Sequence, residues 1–488
     1  MVLALTACSS DDGASPDATT TTEVDKAPAE WPTAGFDLAN TRAVTGGAIA
    51  TETVGDLAPA WTADLGALGS LSTVPIVVDG TVYVQGGSGA VVALDAATGD
   101  ERWRSTATGF NIGPFGVAVD DTRVYALDGS TGVLALDRAT GKQLWATDVT
   151  ATPTTGIDIQ PIVVGDLVIV SSVPVSIQGI YKGGDRGVVT ALDRTTGAVR
   201  WTFDTVKGED LWGDPTVNSG GGAWYPPAVD EKAGVVYVGV ANPAPFPGTA
   251  DHPNGSSRPG DDLYTDSLVA LDLETGALRW YHQVTKHDLF DRDQVHAQIV
   301  DLGHDGRVIV SSGKSGVLVG LDPEDGRVRW RTEVGEHEHD DLTALDGPTT
   351  VLPGTFGGVL TPPAAADGMV YAAVVNAPVE LEPAKEAYFG AQLGAEPGAV
   401  VAVDAATGKV AWSTDVDGDP LGAATVVNDL VLTTLVDGTI VVLDRATGKL
   451  LRTIDLGGST NGWMAVAGSR LYVPVTEGSS AKLVAIGV

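Results

Sequence analysis

One pattern recurs along this chain and limits its fold more than any other feature: aspartate, three residues, glycine, three residues, tryptophan. It stands at Asp95/Gly99/Trp103, Asp137/Gly141/Trp145, Asp193/Gly197/Trp201, Asp272/Gly276/Trp280, Asp322/Gly326/Trp330 and Asp404/Gly408/Trp412. A seventh copy, Asp444/Gly448, has Arg452 in the tryptophan position. The apolar run before each aspartate reads as a strand. The Asp-x-x-Thr-Gly stretch of most copies reads as a tight turn, in which aspartate accepts local backbone N–H bonds and glycine takes a positive φ. The next strand ends on tryptophan, a rigid group large enough to fill the gap between neighbouring sheets.

Upstream of each copy lies a second hairpin. Examples are 75–84 turning at Asp79-Gly80, 161–170 at Gly165-Asp166 and 362–374 at Asp367-Gly368. Two hairpins make a four-stranded blade, and eight such upstream hairpins occur. The expected fold is therefore all-β: an eight-bladed β-propeller of four-stranded antiparallel blades. The eighth blade lacks a turn–tryptophan copy. The stretch Pro59-Ala-Trp61-Thr-Ala-Asp-Leu65 resembles the strand that follows each turn, so an N-terminal strand is expected to complete that blade and close the ring without a free sheet edge. Successive motif aspartates stand 42, 56, 79, 50, 82 and 40 residues apart, where a bare blade takes roughly 40–50. Extra chain therefore falls at 202–266 and 331–400, and insertions on repeat scaffolds form loops, often on the binding face.

Acidic residues outnumber basic ones 63 to 29, for a net charge of −34. That field repels nucleic acid and anionic lipid and favours cationic partners. The single cysteine, Cys8, excludes an internal disulfide. It closes Leu5-Thr6-Ala7-Cys8, which looks like a lipidation site, and residues 9–30 are rich in Ser, Thr, Asp and Ala like a flexible tether. The organisation expected is a lipoprotein-like signal segment at 1–8, a linker at 9–30 and the propeller at 31–488. The protein is then expected outside the cytoplasm, anchored through Cys8, and monomeric. The leader before Cys8 is short and has no basic start, so the true start of translation is expected upstream.

The repeat resembles that of the quinoprotein alcohol dehydrogenases, propellers that hold pyrroloquinoline quinone (PQQ) and usually calcium in a central funnel. The likeness covers about 31–488. Segment Trp31 to Arg42 is similar to the family's opening stretch, and Gly220-Gly-Gly-Ala-Trp224-Tyr-Pro-Pro to the one carrying a tryptophan beneath the quinone. Ala241-Asn242-Pro-Ala-Pro-Phe246 resembles the segment whose asparagine binds calcium, and His287-Asp288-Leu-Phe-Asp291 the stretch with the catalytic aspartate. Ser312-Gly-Lys314 resembles a position where a basic residue meets the quinone. The resemblance implies Asp288 as base and, with Asn242, as calcium ligand, Trp224 as stacking floor, and Lys314 against the developing negative charge. Each also has a plain structural reading: Trp224 as core, Asn242 as a turn former before proline, Asp288 and Asp291 as turn acids, Lys314 as a solvated loop charge.

The chain departs from the family elsewhere. Four residues before Arg186-Gly187 the family has a calcium-binding glutamate; here stands Lys182, with Asp185 as the nearest acid. Phe115 replaces an arginine that pairs with quinone carboxylates, Ser72 a glutamate and Asp158 a threonine. Glu336-His337-Glu338-His339-Asp340-Asp341 reads as an acidic loop, with a transition-metal site as the lesser alternative. Two functions remain open at this stage. One is a PQQ-dependent dehydrogenase of an alcohol or sugar, passing electrons to a separate acceptor, since no Cys-x-x-Cys-His haem attachment occurs. The other is a non-catalytic propeller lipoprotein serving as an assembly scaffold or ligand-binding protein.

Overall fold

In the computed structural model the residues described are 29–111, 113–129, 131–150, 155–175, 181–387 and 396–488. Cys8, the leader at 1–8 and all but the last two residues of the tether at 9–30 lie outside them. The rest forms an eight-bladed propeller of four-stranded antiparallel blades, the seventh extended by a parallel fifth strand, Ala43–Val44. The blades span 76–104, 118–148, 162–204, 228–283, 296–333, 364–416 and 425–455; the eighth joins 465–487 to Ala58–Gly66. Among the described residues no helix is long and apolar enough to cross a membrane.

The apolar runs become middle strands covered on both faces by neighbouring blades. Thr81–Gln85 and Leu167–Ser171 are buried along their whole length. The outermost strands keep alternating exposure, as in Gln143–Asp148, because only one face meets protein. In the first turn, Asp95 Oδ1 accepts the N–H groups of Ala97 at 2.8 Å and Thr98 at 3.1 Å.

Each turn also packs on the preceding blade. Trp145 donates its indole N–H to the Arg194 carbonyl of the next blade, and its ring lies where a side chain on Gly197 would start, 2.6 Å from an added Cβ. Gly197 has φ +74°, so both its conformation and its surroundings demand glycine. The same contact recurs from Trp61 onto Gly99 to Trp412 onto Gly448, at seven junctions. At the eighth, Arg452 donates to the Val54 carbonyl instead.

The ring closes as the sequence led us to expect: Ala58–Gly66 pairs antiparallel with Ser480–Gly487, with Trp61 opposite Ala485. A second N-terminal segment was not foreseen. Residues 31–44 run as a strap along the first strands of the blades. Trp31 pairs with Val77 in blade 1. The carbonyls of Leu38, Ala39, Thr41 and Arg42 accept from Val229, Ile299, Ala365 and Val426 in blades 4 to 7. Arg42 is buried, and among the described residues no carboxylate pairs with it. It donates to the carbonyls of Ala34, Ala424 and Met464 and to Thr425 Oγ1, and stands over the rings of Trp31 and Trp463.

Candidate functional site

In every blade the chain enters the first strand and leaves the second at the same end of the ring. Loops there from blades 2 to 6 converge on a cavity of about 470 Å³, within the size range of small-molecule sites. Trp224 precedes the first strand of blade 4 and Asp291 and Asp293 that of blade 5; Asn242 and Lys314 follow the second strands of the same two blades. Val173, Pro174, Ala244 and Phe356 give the wall an apolar stretch.

The polar centre is a buried triad. Lys314 Nζ lies 2.9 Å from Asp291 Oδ2 and 2.6 Å from Asp293 Oδ2. It also stands 5.3 Å from the centre of the Trp224 ring. Asp293 Oδ1 accepts the Asn242 N–H at 2.8 Å, so both its oxygens are engaged. Burial works against the Lys314 charge, but Asp291 and Asp293 outweigh it and hold the ammonium's pKa above its ordinary value. Burial pushes the Asp291 carboxyl well above the carboxylate range; Lys314 pulls it back and the Asp293 charge adds to the rise. Asp158 lines the opposite wall with Oδ1 buried and lacking a hydrogen-bond partner. Burial, reinforced by Asp293, raises its pKa far as well.

Beneath this centre the aromatic floor continues inward. The Trp224 and Tyr225 rings lie 4.5 Å apart, and Tyr225 packs 4.4 Å from His296 and 5.2 Å from Trp463. Burial holds His296 neutral, with its pKa lowered to about 3.

The cavity thus gathers Trp224, Asn242 and Lys314 but not Asp288. That carboxylate turns back on its own loop: Oδ1 accepts the Phe290 N–H and Oδ2 the Arg292 N–H, each at 2.7 Å. With both oxygens engaged it caps the turn that presents Asp291, whose φ is +65°. The acids of this loop that face the cavity are Asp291 and Asp293, three and five residues further on. Lys182 is exposed, and its neighbour Tyr181 lines the cavity instead. Asp185 is buried and accepts from Thr155. Phe115 packs with Ile157 and Ile159 in the core between blades 2 and 3, leaving Gly113 and Pro114 at the wall. In the acidic loop His337 spends Nδ1 on Asp340 at 2.7 Å and Nε2 on the Val334 carbonyl. Among the described residues no group of His, Cys, Asp and Glu stands ready to hold a metal.

The family described as glucose/ethanol/alcohol dehydrogenase, beta-propeller domain, matches residues 31–112 and 151–312. That described as outer membrane protein assembly factor BamB matches 265–380 and 384–487. The quinohemoprotein alcohol dehydrogenase of Comamonas testosteroni is 28% identical over 59% of this chain and 44% of its own length. Quinohemoprotein alcohol dehydrogenase ADH-IIG of Pseudomonas putida is 30% identical over 60% and 44%. The chain spans under half the length of these curated relatives. The Comamonas crystal structure superposes with a TM-score of 0.80 at 24% identity, covering 94% of this chain and 80% of that one. A europium-containing methanol dehydrogenase gives 0.79 at 20%, covering 94% and 98%. At these identities the structural likeness is one of fold.

Proposed function

The chain belongs to the family of the glucose/ethanol/alcohol dehydrogenase β-propeller domain, and on that premise we propose that it is an exported PQQ-dependent dehydrogenase acting on an alcohol or sugar hydroxyl. The observation that carries this reading is the buried Asp291–Lys314–Asp293 triad beside the Trp224 face.

The lining supplies charge and oxygen donors for the groups this reading requires, although among the described residues no three acids are grouped around one point. Three carboxylates (Asp158, Asp291 and Asp293) against one ammonium leave two negative charges when all are ionised, the charge a divalent cation supplies. The oxygens of Asp158, Asn242 and Asp291 are donors of the hard type that calcium takes. The Trp224 face, in a cavity of this volume, suits a flat ring. For the quinone's carboxylates, Lys314 is the one basic side chain among the described lining residues, which points to a weak hold on the cofactor. Bound there, the quinone supplies the hydride acceptor and the cation a Lewis acid for its carbonyl.

The chain's own residues do the rest. Asp291 has Oδ1 uncommitted and a raised pKa, so it takes the hydroxyl proton; a base tuned toward neutral pH serves best. Asp293 is fixed by the Asn242 N–H at its Oδ1. Asp288 holds the 288–292 turn and so positions Asp291. The apolar wall of Val173, Pro174, Ala244 and Phe356 accepts the carbon skeleton of the substrate and keeps water from the proton transfer. Electrons leave to a separate acceptor. Cys8 carries the lipid anchor, which palmitate labelling lost on Cys8→Ser would test.

Reconstitution with PQQ and calcium should give a quinone absorbance change and alcohol-dependent dye reduction, both absent without the cofactor. No bound quinone, together with no dye reduction from primary alcohols or sugars, would sink the reading. The assembly-scaffold alternative draws on the BamB match over 265–380 and 384–487. It gives no reason for burying a lysine between two aspartates at the bottom of a cavity, where an uncommitted scaffold would carry apolar side chains at lower cost.

A further inference from the structure

Lys314 stands where two other groups would have to go. Its ammonium uses one oxygen of Asp291 and one of Asp293, which line the cavity with Asn242, and it lies over the Trp224 ring. The second oxygen of Asp293 is spent on the Asn242 N–H. A cation entering on Asn242 and Asp291 therefore shares a carboxylate with a positive charge already seated there, and a ring laid on Trp224 meets the same side chain.

We propose that Lys314 is the resident counter-ion of the unloaded cavity and sets its cation affinity by competition. Loading exchanges one cation for another. The lysine side chain leaves the space between the two aspartates, and the arriving cation takes over their charge. This inference rests on the reading of the cavity as a cation and flat-ring site. It differs from a holding role in sign. A lysine that merely keeps Asp291 and Asp293 in place helps the cation bind, whereas a competitor hinders it.

The experiment is calcium binding to the cofactor-free protein by calorimetry, with terbium luminescence sensitised by Trp224 as a second probe. Lys314→Gln is expected to tighten calcium binding at least about tenfold, because it removes a like charge from the site. Lys314→Arg keeps the charge and should bind no tighter than the parent. Equal or weaker binding by Lys314→Gln overturns the proposal while leaving the cation site itself standing. If the parent and both variants bind neither calcium nor terbium at millimolar concentration, the reading of the cavity falls and the proposal with it. Should Lys314→Gln fail to fold, amine acetylation of the parent read by mass spectrometry decides. Lys314 is expected to be protected without calcium and labelled with it, and protection that calcium does not change overturns the competition.

Discussion

Asp288 and Asp291 lie three residues apart, and the geometry divides their work, so substituting each with asparagine separates stability from chemistry. Asp288 accepts two backbone N–H bonds at 2.7 Å inside the protein. An asparagine there keeps one acceptor oxygen and turns its NH₂ toward the other N–H. One hydrogen bond to a charged group is worth about 1.5–3 kcal/mol, and an unsatisfied buried donor adds to the loss. Asp288→Asn should therefore cost about 2–4 kcal/mol of unfolding free energy, seen as a lower urea midpoint. What remains folded should retain proton transfer and an unshifted pH–rate profile. Asp291→Asn removes the proton acceptor and should lower kcat by about 10²–10⁴-fold. Urea titration and dye-linked kinetics on the same preparations test both halves. An Asp288→Asn protein with normal stability and lost turnover, or an Asp291→Asn protein with full turnover, would refute the assignment.

Asp266 is fully buried with both carboxylate oxygens unpartnered, and burial, then Asp288, raise its pKa well above 3.8. A folded acid with a raised pKa binds more protons than the unfolded chain, so it loses stability as pH rises above the ordinary value. Asp266→Asn should thus be more stable than the parent by a margin that grows from pH 4 toward neutral, and a margin that shrinks contradicts this. His296, held neutral, contributes stability that is complete above pH 6.5 and lost as pH falls toward about 3; its ring proton resonances should show no titration between pH 7 and 4. Gly197→Ala combines a positive φ with a Cβ 2.6 Å from Trp145 and should cost about 2–4 kcal/mol. Gly165→Ala, with φ +53° and open space around it, should cost only about 1–2 kcal/mol. Equal losses at the two glycines would remove the blade-junction argument.

The sequence carried most of the fold because the fold is local. Turn, strand and tryptophan sit within nine residues of each other, and each repeat states them again, so Trp61 could be recognised as the missing partner in the last blade. The strap at 31–44 went unread because it forms no repeat, and most of its bonds are single carbonyls accepting from strands far along the chain. In the site the difficulty was an offset of a few residues. Three acids stand in Asp288-Leu-Phe-Asp291-Arg-Asp293, and which of them faces the cavity is decided by left-handed backbone at His287 and Asp291, which composition does not reveal. Lys182 and Phe115 gave way to Tyr181 and Pro114 for the same reason. A loop between strands has no period of its own, so a residue's neighbour is as good a candidate as the residue.

The aromatic floor reaches further than the cavity it supports. Trp224 rests on Tyr225 and Tyr225 on Trp463, while Arg42 of the strap covers Trp463 and bonds to the Met464 carbonyl. A ribosome reaches Trp463 only after seven blades have been made. Trp463 is locked in place only when Ala58–Gly66 and residues 31–44 fold back onto the eighth. On the proposed reading of the cavity, a flat ligand arriving earlier would find walls without a foundation.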